Sequence, residues 1–471
     1  MTLEEILAVR PSPGHPRSYR FPDFERTILA SGLQVLQIDL PGRPLVTASL
    51  VVRRGASDEP RELAGATVLA ARAMTEGTEH YAGVELVEAA ERLGATLNVE
   101  ATWDAFFAAV DVAASRLPAA IDLLAELVER PTFPRVEVAR LRDERMNDLL
   151  QVRADSRRRV ERVFAETIYS TESPYARPAA GDEESVARLS ADALRSVHRA
   201  LLAPDHAALI VGGDLAGLNV SLLVERAFRS LGAAAGAGRQ GTVVAPVATP
   251  AVTEPIVRFF HKPGAVQTEL RIGHVGLPRH VTDFHAIGVM SAILGGLFNS
   301  RLQMNLRESK GYTYGVNAGF DMRRGRGPFS VRTAVHTSAT VPAITEALAE
   351  LARMRDTEVT PAELNAARDY LVGVFPLRFE TPGAVVGAVS GLFVQDLPDD
   401  ELARYRGAVE SVTAEQVQGA ARDHIHLDRI AIVAVGDADA VRGELEAAGF
   451  GKLEIVPEDA AAESHEGEAD G

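Results

Sequence analysis

Two side chains in the stretch Ser300–Phe320, SRLQMNLRESKGYTYGVNAGF, could do chemistry together: Arg307 and Tyr314. Ile287, Met290, Ile293, Leu294, Leu302 and Leu306 recur near helical spacing, so the chain up to Lys310 reads as helix. Gly311 ends that pattern, as glycine often does at a helix C-terminus. Tyr312–Phe320 then reads as a strand rich in tyrosine, valine and phenylalanine. A guanidinium on the last helical turn and a phenol inside the next strand are both hydrogen-bond donors that could converge on one oxygen. The chemically neutral alternative pairs Arg307 with Glu308 and packs Tyr314 in a core.

Other constellations are weaker. A helical zinc site needs two histidines one turn apart, and no two histidines of this chain are four apart. His280 and His285 are five apart; His424 and His426 alternate near an expected strand start, without an evident third ligand. No Gly-x-Ser-x-Gly, Walker loop or dinucleotide fingerprint stands in its required strand–helix setting. Gly212-Gly213 reads as a strand-exit turn, because Asp214 would repel phosphate. The run Arg157-Arg158-Arg159 with Arg162 reads as a solvated helix face.

These residues sit in a chain of 471 residues, 46% hydrophobic and 24% charged, an ordinary globular composition. The net charge of −16 argues against nucleic acid or an anionic membrane as partner. The absence of cysteine excludes disulfides and thiolate metal sites. The first residues show no basic start followed by an apolar run, so no signal peptide is expected and the cytoplasm is favoured. No apolar stretch is long enough to span a bilayer.

The elements that must position the pair recur in order. Pro118-Ala119 and Leu124-Ala125-Glu126-Leu127 reappear as Pro342-Ala343 and Leu348-Ala349-Glu350-Leu351. Ser190-Ala191-Asp192 reappears as Thr413-Ala414-Glu415, and Gly213-Asp214 as Gly436-Asp437, always 223 or 224 residues on. A nearly constant offset over about a hundred residues implies duplication. The expected organisation is an N-terminal arm (1–25), an α+β half (26–230), a small, Pro-rich linker (231–250), a second homologous α+β half (251–456) and an acidic disordered tail (457–471). Helices are expected over Leu63–Thr75, Ala82–Leu93, Leu117–Glu129, Pro134–Ala154 and Ala191–Leu202, with a hairpin turning at Ser31-Gly32.

The segment Ser300-Arg301-Leu302, Asn305-Leu306-Arg307-Glu308, Gly311, Tyr314 and Val316 resembles a motif of the pitrilysin/insulinase-type metallopeptidases. Pro174-Tyr175, Arg177-Pro178, Gly181, Leu189-Ser190, Pro204 and Gly213-Asp214 resemble the end of that family's first half. The resemblance runs from about Leu33 to Ala440, and it implies two αβ-roll halves, each a mixed, mostly antiparallel sheet covered by helices. It also implies a His-x-x-Glu-His zinc helix shortly before a Gly-Thr pair, here Gly77-Thr78. Counting back from that pair, Val68, Ala71 and Arg72 stand where the histidines and glutamate belong, and the distal glutamate falls near Asn147 or Asp148. Those side chains supply neither imidazole ligands nor a general base, so no zinc is expected on this chain. Some family members are heterodimers in which a zinc-free subunit contributes an arginine and a tyrosine across a shared chamber. Arg307 and Tyr314 match those positions. The resemblance therefore implies a non-catalytic, substrate-positioning subunit, a homologous partner with an intact zinc motif, and a peptide or unfolded protein as substrate. A structural assembly subunit and a free-standing peptide-binding module are the alternatives.

Overall fold

The computed structural model describes residues 17–202, 206–229, 231 and 245–458. Pro204, most of the expected linker, the start of the arm and nearly all of the acidic tail lie outside the described residues.

The first half contains β1 (Glu25–Ile28), β2 (Gln34–Asp39), β3 (Leu45–Val52), β4 (Thr96–Ala101), β5 (Phe106–Ala113) and β6 (Ala207–Gly213). The second contains β7 (Ile256–His261), β8 (Gln267–Val275), β9 (Thr313–Phe320), β10 (Pro328–His336), β11 (Ala431–Gly436) and β12 (Lys452–Val456). The strand orders are β1-β2-β6-β3-β5-β4 and β12-β7-β11-β8-β10-β9. Five strands of each sheet correspond one to one, so the repeat read in the sequence is a repeat of topology. The sixth strand differs: β1 joins β2 antiparallel, whereas β12 joins β7 parallel. Matching helices start with matching caps. The Ser190 hydroxyl accepts from Ala193 N, and the Thr413 hydroxyl from Gln416 N. Among the described residues nothing pairs with the outer sides of β4 and β9, which leaves both as open edges.

Each sheet buries one face under helices of its own half. The helices Ala66–Ala73, Leu117–Glu129 and Ala191–Leu201 share a core with Val35, Leu50 and Val110. The opposite faces are covered by exchange. Ser156–Ile168, from the first half, packs on β8 and β11; Pro382–Val394, from the second, packs on β3 and β6. Val385, Val386, Val389 and Phe393 thereby meet Leu36, Ile38, Val51 and Ile210. Burying each such side chain contributes about 1.5–3 kcal/mol, so the exchange binds the halves strongly. It also corrects the reading of the arginine run. Arg159 is buried, with its guanidinium 5.7 Å from the Phe260 ring, and Arg162 is ion-paired with Glu166 and Glu183. Arg157 and Arg158 are exposed, as expected; Arg159 and Arg162 turn inward, because their helix covers the other half's sheet.

A polar lock closes the seam. Tyr175 donates its hydroxyl proton to Asp104 (2.8 Å), and Arg324 N donates to the other Asp104 oxygen (2.8 Å). The Arg324 guanidinium, 7% exposed, donates to Arg53 O (2.8 Å) and Asp58 (2.9 Å). Residues 17–24 of the arm follow the second half: Arg406 donates to the carbonyls of Arg17 and Tyr19, and the Tyr19 ring meets Phe375 edge-on.

Candidate functional site

The segment before β9 winds as π-helix over Ala292–Gly296 and Gln303–Ser309 where regular helix is expected from the sequence. π-turns are rare and concentrate at functional sites. Gly295 permits the first of them to approach β9, since a Cβ there would lie 2.5 Å from Ala318 N. Most of the motif residues anchor this corner. Arg301 grips Glu363 with two bonds (2.7 and 3.1 Å), and Asn305 donates to Glu346 and Glu350 (2.9 Å each). Leu302 and Leu306 are buried. Burial alone would raise the Glu363 carboxyl; hydrogen bonds from Arg301 and Thr360 outweigh it and hold the group down at about 2.

Arg307 and Tyr314 are left out of that anchoring. Arg307 is half-buried, its guanidinium 4.8 Å over the exposed Phe298 ring and its Nε 3.4 Å from Glu308. The local pairing with Glu308 thus exists, but the Nη groups have no hydrogen-bond partner among the described residues. Gly311, at φ +66°, then reverses the chain into β9, with Gly311 N donating to Arg307 O and Tyr312 N to Leu306 O.

In a regular strand Tyr314 would share the inward face of Val316 and Ala318, both of which are buried. The pairing of β9 with β10 instead slips between Thr333↔Val316 and Val335↔Thr313, so Tyr314 and Gly315 stand opposite Ala334 alone. This is a β-bulge, and bulges re-aim side chains, often beside active sites. Thr333 stabilises it, donating to Gly315 O (3.0 Å) while Gly315 N donates to the Thr313 hydroxyl (3.0 Å). The result is a Tyr314 side chain 92% exposed and without a hydrogen-bond partner among the described residues. The core-packing alternative for Tyr314 is therefore ruled out. Both side chains belong to one corner, at the open edge of the second sheet.

The degenerate zinc positions lie on the helix Ala66–Ala73, shorter than the expected Leu63–Thr75 because 3-10 turns flank it. Its N-terminus is capped by Glu59, whose carboxylate accepts from Gly65 N (2.9 Å) and from Thr67 N. Val68 is half-buried, Ala71 is buried and Arg72 is exposed. Arg72 Nη2 lies 3.3 Å from Glu144 on the helix Arg135–Ala154. Arg140 ties Glu144 to Glu76 and Glu137. Glu144, rather than Asn147 or Asp148, is the carboxylate that reaches this face; Asp148 is held by Arg158 (2.6 Å) and Arg145. A methyl, an isopropyl group and a guanidinium–carboxylate pair do not fit zinc, which needs lone-pair donors on three or four sides.

The two histidines singled out are structural. His424 ends the helix Ala414–His424 and meets Asp283 (2.7 Å), while His426 packs against His274; the strand expected near them starts only at Ala431, so the two do not alternate along it. Sequence reading missed a cluster of His261, Asp437 and Asp439 at the exit of β11. Two of its groups are engaged as caps: His261 Nδ1 accepts from Ala438 N (3.1 Å), and Asp437 accepts from Gly264 N (3.0 Å) and Ala440 N; Asp439 is exposed, 3.7 Å from His261 Nε2. No helix among the described residues is long and apolar enough to cross a membrane.

Comparison with known proteins agrees with this fold. Residues 34–182 match the family model for insulinase, peptidase family M16, and residues 188–371 match the one described as the peptidase M16 inactive domain. An uncharacterized zinc protease of Streptomyces coelicolor is 25% identical over 84% of this chain and 86% of its own. The Helicobacter pylori protein called non-peptidase homolog YmxG is 20% identical over 84% of this chain and 89% of its own. The crystal structure of a peptidase M16 inactive domain from Pseudomonas fluorescens superposes with a TM-score of 0.80 at 24% identity, covering 88% of this chain and 98% of that one. A protease from H. pylori gives a TM-score of 0.80 at 18% identity, over 88% and 99%. With two matching halves and the repeated αβ-roll topology, the chain belongs to the M16 insulinase-type peptidase family, and its sequence carries no His-x-x-Glu-His motif.

Proposed function

We propose that this protein is the substrate-positioning subunit of a zinc metalloendopeptidase, and that it offers Arg307 and Tyr314 to a peptide bond cut at a partner chain's metal. The partner is a homologous chain with an intact His-x-x-Glu-His motif, and the zinc is the partner's. The observation that carries the reading is the bulge: backbone and threonine hydrogen bonds hold a phenol almost wholly in solvent, on an open strand edge, where it does nothing for this chain's own fold. Attack on a peptide carbonyl builds negative charge on its oxygen, and a preplaced O–H donor stabilises that charge. The Arg307 Nη groups are free to hold a neighbouring backbone carbonyl or carboxylate of the substrate. An extended peptide can add to an open edge through main-chain hydrogen bonds, which gives affinity with little sequence selection.

The test is reconstitution. Purified alone, the chain binds no stoichiometric zinc and cleaves no peptide; mixed with the homologous His-x-x-Glu-His chain, it forms a complex whose turnover exceeds that of the partner by itself. Stoichiometric zinc on the isolated chain with chelator-sensitive cleavage would overturn the reading. Equal activity of the partner with and without this chain would favour a structural role instead.

A further inference from the structure

Behind the seam lies a cavity of about 350 Å³, between the exchanged helix Ser156–Ile168 and the strand β10. It is distinct from the Arg307–Tyr314 corner, and no lining residue comes from that corner. Its body is apolar: Leu149, Phe164, Ile168 and the rings of Tyr169, Tyr175 and Trp103 form the walls. The two phenols are committed elsewhere, Tyr169 to Arg326 O (2.9 Å) and Tyr175 to Asp104 (2.8 Å), so the tyrosines contribute ring surface.

The rim is cationic. Six arginines line the cavity against one carboxylate, Glu161, and that carboxylate is bound to Arg271 (2.8 Å). Arg145, Arg158 and Arg162 are neutralised by Asp148, Glu166 and Glu183, and Arg177 donates to Glu59 O (3.0 Å). Arg177 thus keeps its charge without a carboxylate partner among the described residues, and two further arginines offer donors. Arg323 uses Nε and Nη2 on Asp321, stacks 3.9 Å over the Trp103 ring, and leaves Nη1 buried with no hydrogen-bond partner. Arg332 donates to the Ser330 hydroxyl and has no carboxylate partner among the described residues. A buried donor left unpaired is costly. Meeting it with an anion recovers that cost and adds a charge-assisted bond.

We infer that this cavity is a binding site for a small amphipathic carboxylate, with its apolar body among Leu149, Phe164 and Ile168 and its anionic head on Arg323 and Arg332. The volume falls in the range of small-molecule sites, which are mostly apolar with a few placed polar groups. The duplication provides a contrast. The corresponding cleft beside the helix Pro382–Val394 sets Glu100, Asp104, Asp111 and Asp321 against a single arginine, Arg323, which lines both clefts, so the arginine-rich cavity is the one that suits an anion.

Trp103 is the chain's single tryptophan and lines both this cavity and the cleft beside Pro382–Val394, so its emission reports occupancy in the full-length protein, and a change at Ala165, which lines only the cavity, tells the two apart. Octanoate, kept below its micelle concentration, should change that emission saturably and bind with one-to-one stoichiometry by calorimetry. Octanol should bind at least about tenfold more weakly, because it leaves the guanidinium without an anion. Ala165→Phe, which fills the cavity without touching the rim charges, should abolish binding. The exposed Arg332→Gln, which leaves the fold undisturbed, should weaken octanoate and leave octanol unchanged. No saturable binding, equal affinity for octanol, or undiminished binding to the Ala165→Phe protein would each overturn the inference. None of these readouts depends on peptide cleavage, so their failure is separable from failure of the proposed function.

Discussion

Replacing Tyr314 with phenylalanine removes one O–H and nothing else. The structure sets both halves of the expectation. The side chain is 92% exposed and its hydroxyl has no partner among the described residues, so folding stability should change by no more than about 0.5 kcal/mol. The bulge that aims it is held by Thr313, Thr333 and the backbone of Gly315, none of which is altered. A structural role therefore predicts no measurable effect. An oxyanion-donor role predicts a fall in kcat of roughly 10²–10³, about 2.7–4 kcal/mol of transition-state stabilisation. The KM should barely move, because the bond is made to charge that develops only in the transition state. The assay is steady-state cleavage of a quenched fluorescent peptide by the reconstituted heterodimer, with complex formation checked by size-exclusion chromatography. An unchanged kcat with an intact complex would refute the assigned role. So would loss of the complex itself, which would make Tyr314 an interface residue.

Two further predictions concern the scaffold. Arg324→Met removes the buried guanidinium that joins Asp58 and the Arg53 carbonyl across the seam, while Asp104 keeps its bonds from Tyr175 and from the backbone N–H of residue 324. Removing one partner of a largely buried pair costs up to about 3–5 kcal/mol; a loss below about 1 kcal/mol in urea unfolding would show that the polar lock does not hold the halves. Glu363 is held down at about 2, first against burial, which raises it, and then by Arg301 and Thr360, which lower it further than burial lifts it. A depressed carboxylate stabilises the fold above its unfolded value near 4.5 and loses that contribution as pH falls towards 2. The stability gap between the native chain and Glu363→Gln should therefore be widest at neutral pH and shrink through that window. A gap that is equal at pH 7 and at pH values near 2 to 3 would contradict the ion pair.

Much of the organisation was legible in residue order because it rests on local rules. Ser190 and Thr413 announce equivalent helix starts, Gly32 turns the first hairpin at φ +86°, and the recurrence of Gly213-Asp214 as Gly436-Asp437 marks the ends of β6 and β11. The candidate pair was legible as residue types on adjoining elements. Three features were not. The exchange of Ser156–Ile168 and Pro382–Val394 between halves is a long-range packing choice, and it drew Arg159 and Arg162 out of an arginine run that reads as solvated and whose other members, Arg157 and Arg158, are exposed. The π-winding of Gln303–Ser309 depends on anchors at Glu346, Glu350 and Glu363, far along the chain. Glu144 reaches Arg72 through the packing of two helices, which counting residues placed about a turn away.

Sequence alone determined the duplicated α+β architecture, the presence of a donor pair at Arg307 and Tyr314, and the lack of zinc-ligand types at Val68, Ala71 and Arg72. Residue order and local periodicity are enough for the first two, because they concern which groups exist and which local conformations they favour; the third also needs the family resemblance, which says where zinc ligands belong. Only the tertiary structure decided which way Tyr314 points. Strand alternation would have sent it into the core with Val316 and Ala318, and one slipped pair against β10 sends it into solvent instead. Register is a property of two strands together, so no reading of one strand by itself could have contained it.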